Sequence, residues 1–253
     1  MKSLKFNLAT FLLLGFTSLN IGAQEKSEQL WYCWEETVKP GFIDEYLAFS
    51  KELIGICKQE KFPYAFITAT PKPFVYELWY PVNSLDIIPE IDKAWEKVVG
   101  KFGSDKYAAF NNTKVKNSSY STSGRPDLNY DPKNPDFSEN EASVYFCKVY
   151  SLIPGKESEF EEAVKWMNGQ RESAGVGHFV SYVKGGVGYD DPLYVEMISA
   201  LSQEDFLKRI SVLDIKMAAV LREYNRKINS ITREKREFFQ AFLKDLSYQP
   251  EAK

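Results

Sequence analysis

Two hydrophobic periods alternate along the chain, and together they predict a sheet covered by helices. Leu30 to Val38 is β-branched and aromatic enough for a strand, and Pro40-Gly41 ends it and sets the turn into a helix. Tyr46, Phe49 or Ser50, Leu53 and Cys57 then recur at helical spacing. Phe62 to Ala69 and Phe74 to Tyr80 read as a hairpin around Pro71-Lys72-Pro73. The order then starts again. A strand carrying Cys147 comes first, then Phe160, Ala163, Val164 and Met167 as a helix face, and Val176 to Val183 with Leu193 to Ser199 as a second hairpin turning through Gly185-Gly186-Val187-Gly188. Ser84 and Ser202 are expected N-caps, and behind Ser202 an apolar stripe from Phe206 through Ile210, Leu213, Met217 and Val220 to Tyr224 predicts one helix. A closing strand is expected near Ser118 to Gly124 and again near Arg236 to Leu243.

This double order has a counterpart in residue identity. At an offset of 114, Cys33 aligns with Cys147, Pro40 with Pro154, Gly41 with Gly155, Glu45 with Glu159 and Tyr46 with Phe160. Further on, Val75 to Leu78 (VYEL) matches Tyr194 to Met197 (YVEM) at an offset of 119, which pairs Glu77 with Glu196 and implies five extra residues in the second copy. Each copy closes on a similar tag, Asp127-Leu128-Asn129-Tyr130 and Asp245-Leu246-Ser247-Tyr248. The expected organisation is two tandem βαββαβ domains, residues 29–125 and 142–248, joined by a Pro-, Asn- and Asp-rich linker at 126–141.

The strand followed by Lys39-Pro40-Gly41 and an acidic, aromatic helix, with Tyr76 to Trp79 (YELW) as third strand, resembles the dimeric α/β-barrel superfamily, in its antibiotic-biosynthesis-monooxygenase-like and NIPSNAP-like branches. The resemblance rests on about two short motifs per copy. It implies an α+β fold in which two ferredoxin-like domains, here in one chain, make a pseudo-dimeric α/β barrel with a ligand cavity. Members range from oxygenases and haem-degrading enzymes to proteins without known activity, so the fold does not give the function.

The amino terminus changes the expected compartment. Lys2 and Lys5 precede an apolar run from Leu8 to Phe16, and Ile21-Gly22-Ala23 offers small residues before Gln24, the pattern of a signal peptide over residues 1–23. A periplasmic or secreted protein, without a membrane span once that segment is removed, is the expectation. Three cysteines allow at most one disulfide within the chain, with Cys33 to Cys57 the pairing left open. A formal charge of -3 gives no basic footprint for nucleic acid, and His178 is the only histidine.

Candidate chemistry is sparse. Glu77 and Trp79 lie two apart on one strand and share a face, and Glu196 with Ile198 repeats the spacing. The two carboxylates are read either as polar anchors or general bases beside a cavity, or as hydrogen-bond acceptors that fix the sheet. Trp34, Tyr64, Tyr76, Trp79, Tyr182 and Tyr194 are candidate wall residues, of which alternation allows only some to face one side. Cys33 and Cys147 sit at equivalent strand positions, with no histidine nearby to act as base, and read more readily as buried hydrophobes than as nucleophiles. His178 aligns with Tyr64, an exchange that favours packing over acid–base or ligand work, and it does not match the histidine of haem-degrading relatives. Gly185, Gly186 and Gly188 lack the following helix of a phosphate loop. No cofactor is implied. The reading that follows is an exported protein, monomer or homodimer, binding a small, partly apolar ligand in a barrel cavity; the competing one is a cofactor-independent monooxygenase or isomerase acting on an aromatic or quinol-like molecule.

Overall fold

The computed structural model describes residues 28–250, so the signal peptide expected at 1–23 lies outside the described residues. The chain forms two compact units, one of Leu30–Ser121 with residues 241–250, the other centred on Thr122–Gln240.

In the first unit β1 (Leu30–Val38) leads through a short 3-10 turn at Pro40–Phe42 into α1 (Ile43–Gln59). Then come β2 (Ile67–Lys72), β3 (Val75–Val82), α2 (Ile88–Phe102), α3 (Ser104–Asn112) and β4 (Lys114–Gly124). The sheet order is β4-β1-β3-β2, and β1 and β2 both pair antiparallel with β3. The second unit repeats the path with β5 (Val144–Leu152), α4 (Glu157–Ala174), β6 (Val180–Gly185), β7 (Leu193–Ala200), α5 (Gln203–Lys216), α6 (Ala218–Ile231) and β8 (Thr232–Phe242), in the order β8-β5-β7-β6. Strand alternation gives each sheet one face that meets its own helices. In the first unit that face carries Tyr32, Tyr76 and Tyr80, packed with Tyr46, Leu53 and Cys57 of α1 and Ile91 and Val98 of α2. In the second it carries Tyr150, Tyr182, Tyr194 and Ile198, packed with Phe160, Val164 and Met167 of α4.

Several boundaries differ from the expected ones for local reasons. Strand β2 begins at Ile67, not at residue 62, because the Phe62 amide donates to the Cys57 carbonyl (2.9 Å) and its ring packs on Trp95. The apolar stripe from Phe206 to Tyr224 is broken at Met217 (φ -111, ψ 16), which divides it into α5 and α6. Ser202 caps α5 as expected, accepting from the Asp205 amide at 3.0 Å, whereas Ser84 caps a single 3-10 turn at Leu85–Ile87 ahead of α2. Residues 126–141 are packed within the second unit, where Leu128, Tyr130 and Phe137 are buried and Tyr130 bridges Val180. The corresponding tag at 245–248 is part of the first unit: Tyr248 bridges Phe66, and the Thr68 hydroxyl donates to the Leu246 carbonyl at 2.6 Å. Each tag therefore packs on the βαββαβ run that it does not itself close.

None of the three cysteines is in a disulfide, and all are fully buried. Cys33 cannot meet Cys57, because Tyr32 and Trp34 on either side of it point to the helices and alternation turns Cys33 to the opposite face, opposite Trp79. Burial pushes the Cys57 thiol up to about 12 and the Cys33 thiol well above its ordinary value, so both are packing groups at neutral pH. No helix of the described residues is long and apolar enough to cross a membrane.

Gly175 ends α4 in the left-handed conformation (φ 63), where the Val176 amide donates to the Arg171 carbonyl at 3.0 Å. A Cβ there meets no neighbouring atom, so only backbone strain opposes it. Gly175→Ala is expected to lower stability by about 1–2 kcal/mol, read as a shifted urea midpoint at unchanged slope.

Candidate ligand cavity

A cavity of about 340 Å³ lies between the sheet and helices of the first unit. Its floor is Phe66, Tyr80 and Ile91, all buried, and its side walls include Tyr32, Trp34, Leu53, Ile54 and Leu78. Half-buried Trp95 and Tyr107 stand nearer the rim, where Asp92, Glu96 and Asn117 are exposed. The volume falls at the small end of the range for small-molecule sites, and an apolar lining with a few convergent polar groups is their usual composition.

The polar centre of the cavity is Glu36, which shares the face of Tyr32 and Trp34 by strand alternation. Its Oε1 accepts from Lys114 Nζ at 2.5 Å and from Trp34 Nε1 at 3.2 Å, and its Oε2 accepts from the Tyr46 hydroxyl at 2.8 Å. Lys114 also stands 3.7 Å from the centroid of the Phe110 ring. Both side chains are nearly inaccessible, at 6% and 8% exposure, so the pair is shielded from bulk solvent and lines the cavity. Burial pulls the Lys114 ammonium below its ordinary value, and the Glu36 carboxylate opposes that.

Strand register explains why this space stays open. Cys33 faces Trp79 as Cys147 faces Met197, so Leu78 and Glu196 hold the same register position in their sheets, and Thr68 and Tyr182 likewise face them. At the helix offset of 114, Cys57 corresponds to Arg171. Leucine, threonine and cysteine in the first unit are thus replaced by glutamate, tyrosine and arginine in the second. There the layer is filled by a buried network: Glu196 accepts from the Tyr150 hydroxyl at 2.8 Å and the Tyr182 hydroxyl at 2.9 Å, is paired with Arg171, and lies 3.6 Å from Lys148. Burial alone would raise the Glu196 carboxyl, but Lys148 and Arg171 outweigh it and hold the group well below the usual carboxylate range. His178 lies beside this network, and burial followed by the Arg171 charge lowers it to about 3, so it is neutral at physiological pH.

The same register corrects the pairing of Glu77 with Glu196. The two hairpins are related by 118 residues, not 119, so the hairpin offset exceeds the offset of 114 by four residues and Glu77 corresponds in register to Val195. A slip of one residue turns every side chain to the other face. Glu196 faces the helices of its unit, whereas Glu77 lies on the opposite face of its sheet, accepting from Tyr120 at 2.7 Å and from Trp79 at 3.0 Å. Burial raises Glu77 to about 7 against those two hydrogen bonds. Neither Glu77 nor Trp79 lines the cavity, nor do Cys33, Cys147, His178 and Glu196. Cys147 approaches Gln240 Oε1 at 3.4 Å. Of the candidate wall residues Trp34 lines the cavity, Tyr76 packs its ring at a tilt on Tyr46 with centroids 4.6 Å apart, and Tyr64 donates to Glu90 at 3.2 Å. Tyr194 is held by Glu161 and Arg125 in the second unit.

Sequence reading missed Glu36 and Lys114. Glu36 was legible, since it stands two residues from Trp34 on the same strand. Lys114 was not, because the mostly polar run Lys114 to Ser119, with Val115 its one apolar residue, hides the first half of β4.

No family model matches the sequence, and no curated protein matches it. Solved structures do resemble it. A candidate monooxygenase from Fusobacterium nucleatum subsp. nucleatum superposes with a TM-score of 0.57 at 13% identity, over 89% of this chain and 99% of that one. An anthrone oxidase-like protein gives 0.55 at 9% identity, over 86% and 92%. A mutant chlorite dismutase from Candidatus Nitrospira defluvii gives 0.51 at 8% identity, over 85% and 92%. At such identities what is shared is the fold, that of the dimeric α/β-barrel proteins.

Proposed function

We propose that the protein binds a small, largely apolar organic molecule in the cavity of its first unit, with the Glu36–Lys114 pair as its polar anchor. The observation that carries this reading is the pair itself. A buried ion pair is a poor way to stabilise a fold, because desolvating two charges offsets most of their attraction. The second unit has Tyr150 at the register of Glu36 and opens β8 on Thr232 where β4 opens on Lys114, so a sheet of this kind is built without the pair. A polar pair facing an aromatic cavity instead supplies one acceptor and one donor to a ligand whose body fills the rest.

The wider reading places this site in an exported protein, periplasmic or secreted, made of two ferredoxin-like domains that arose by tandem duplication and form one pseudo-dimeric barrel. The matching strand orders β4-β1-β3-β2 and β8-β5-β7-β6 support the duplication, and the fold likeness supports the barrel. The second copy in cis makes a monomer sufficient, and a homodimer remains compatible.

Leu78→Trp fills the cavity from its sheet wall and is expected to abolish ligand retention while leaving the unfolding midpoint near that of the parent. Native mass spectrometry of protein purified from its own source checks this: a small molecule retained by the parent and lost from the variant supports the proposal. A molecule carried equally by both would defeat it.

A second reading, a cofactor-independent monooxygenase or isomerase, is favoured by the likeness to a candidate monooxygenase and an anthrone oxidase-like protein. Oxygen uptake with an aromatic substrate, lost in Glu36→Gln, would establish it over simple binding.

A further inference from the structure

The composition of the cavity rim decides the charge of its occupant. Asp92 and Glu96 stand one turn apart on α2, at the i and i+4 spacing that puts two side chains on one face, and both line the cavity. Neither has an ion-pair partner among the described residues. Lys97 points roughly 100° away from Glu96 around the helix, and Lys93, although three positions before Glu96, makes no ion pair with it. Like charges at this spacing disfavour the helix. Inside, Glu36 and Lys114 cancel one another, which leaves Asp92 and Glu96 as the uncompensated charges of the site. The walls between rim and floor carry the Tyr32 and Trp34 rings beside aliphatic Leu53, Ile54 and Leu78, and ring faces attract cations. Lys114 already demonstrates this attraction, with its ammonium over Phe110. The Asp92 charge also reaches inward, adding to the burial that raises the Tyr32 hydroxyl.

We infer that the cavity takes an organic cation, an ammonium group on an apolar or aromatic body, with the body on the Phe66, Tyr80 and Ile91 floor and the cationic head between Trp95, Tyr107 and the Asp92 and Glu96 carboxylates. This rests on the cavity being a ligand site and adds the class of ligand. Two attractive elements converge on one sign of charge, the Asp92 and Glu96 carboxylates and the ring faces. An anionic ligand meets repulsion at the rim, and a neutral one gains nothing from it.

The test is isothermal calorimetry on the full chain with three probes of similar size: benzyltrimethylammonium, its uncharged isostere neopentylbenzene, and benzenesulfonate. Benzyltrimethylammonium is expected to bind about tenfold or more tighter than the neutral isostere, and benzenesulfonate not at all. In Asp92→Asn/Glu96→Gln the preference should fall to within about twofold, with affinity for the neutral probe unchanged. Neopentylbenzene binding as tightly as the cation, or a preference that survives in the double variant, would overturn the inference and leave the cavity reading standing. If the parent binds none of the three, and its heats match those of Leu78→Trp, both fall together.

Discussion

Arg171→Met is expected to destabilise the second unit by about 3–5 kcal/mol, because it leaves the fully buried Glu196 carboxylate short of its closest cation. Tyr150, Tyr182 and Lys148 remain around Glu196, but two hydroxyl donors and an ammonium 3.6 Å away do not replace a guanidinium in direct contact. Asn168, whose side-chain oxygen accepts from Arg171 at 2.7 Å, loses that donor as well. Adding Glu196→Gln to Arg171→Met removes both charges and should recover more than half of the loss, since the cost lies in the stranded charge and not in the missing contact. Chemical denaturation of the two variants checks this, and equal stability of single and double variants would refute it. The pair also sets the acid limb of stability. Glu196 is held below its unfolded value, so its contribution is complete above an ordinary carboxylate pKa of about 4.3 and is lost as pH falls below that. The parent should therefore lose stability between about pH 4 and pH 2 more steeply than the double variant.

The opposite pH dependence is expected from Glu77. Its folded value is about 7 against 4.5 for the free side chain, so the native state holds a proton that the unfolded chain has released. The contribution is complete below about pH 4.5 and is lost as pH rises through 7. A difference of about 2.5 pH units corresponds to about 3 kcal/mol. Glu77→Gln mimics the protonated group, keeping an acceptor for Trp79 Nε1 and a donor that the Tyr120 oxygen can accept. It is therefore expected to match the parent at pH 4.5 and to exceed it by about 3 kcal/mol at pH 8, where the parent carries a buried anion. Urea midpoints at the two pH values decide the matter; a difference independent of pH would show that the carboxyl does not titrate in this range.

These two glutamates mark where sequence reading stops. The chain by itself determined the elements and their double βαββαβ order, because hydrophobic period is a property of the backbone geometry: β1 runs from Leu30 to Val38 as alternation requires, and the helix face of Tyr46, Leu53 and Cys57 is buried. It also determined that Ser202 caps a helix, whereas of its six candidate wall residues only Trp34 lines the cavity. Tertiary structure alone decided which carboxylate meets which face. The offset of 119 between VYEL and YVEM is one residue from the 118 that the strand ladders enforce, and with a side-chain period of two that single residue separates a glutamate under the helices from one on the far face. Register is fixed by hydrogen bonding between strands distant in sequence, so no local pattern reports it. The cavity has the same origin. Thr68 and Leu78 are unremarkable residues singly, and they border an open space only because the fold brings them to the register positions that Tyr182 and Glu196 fill in the second unit.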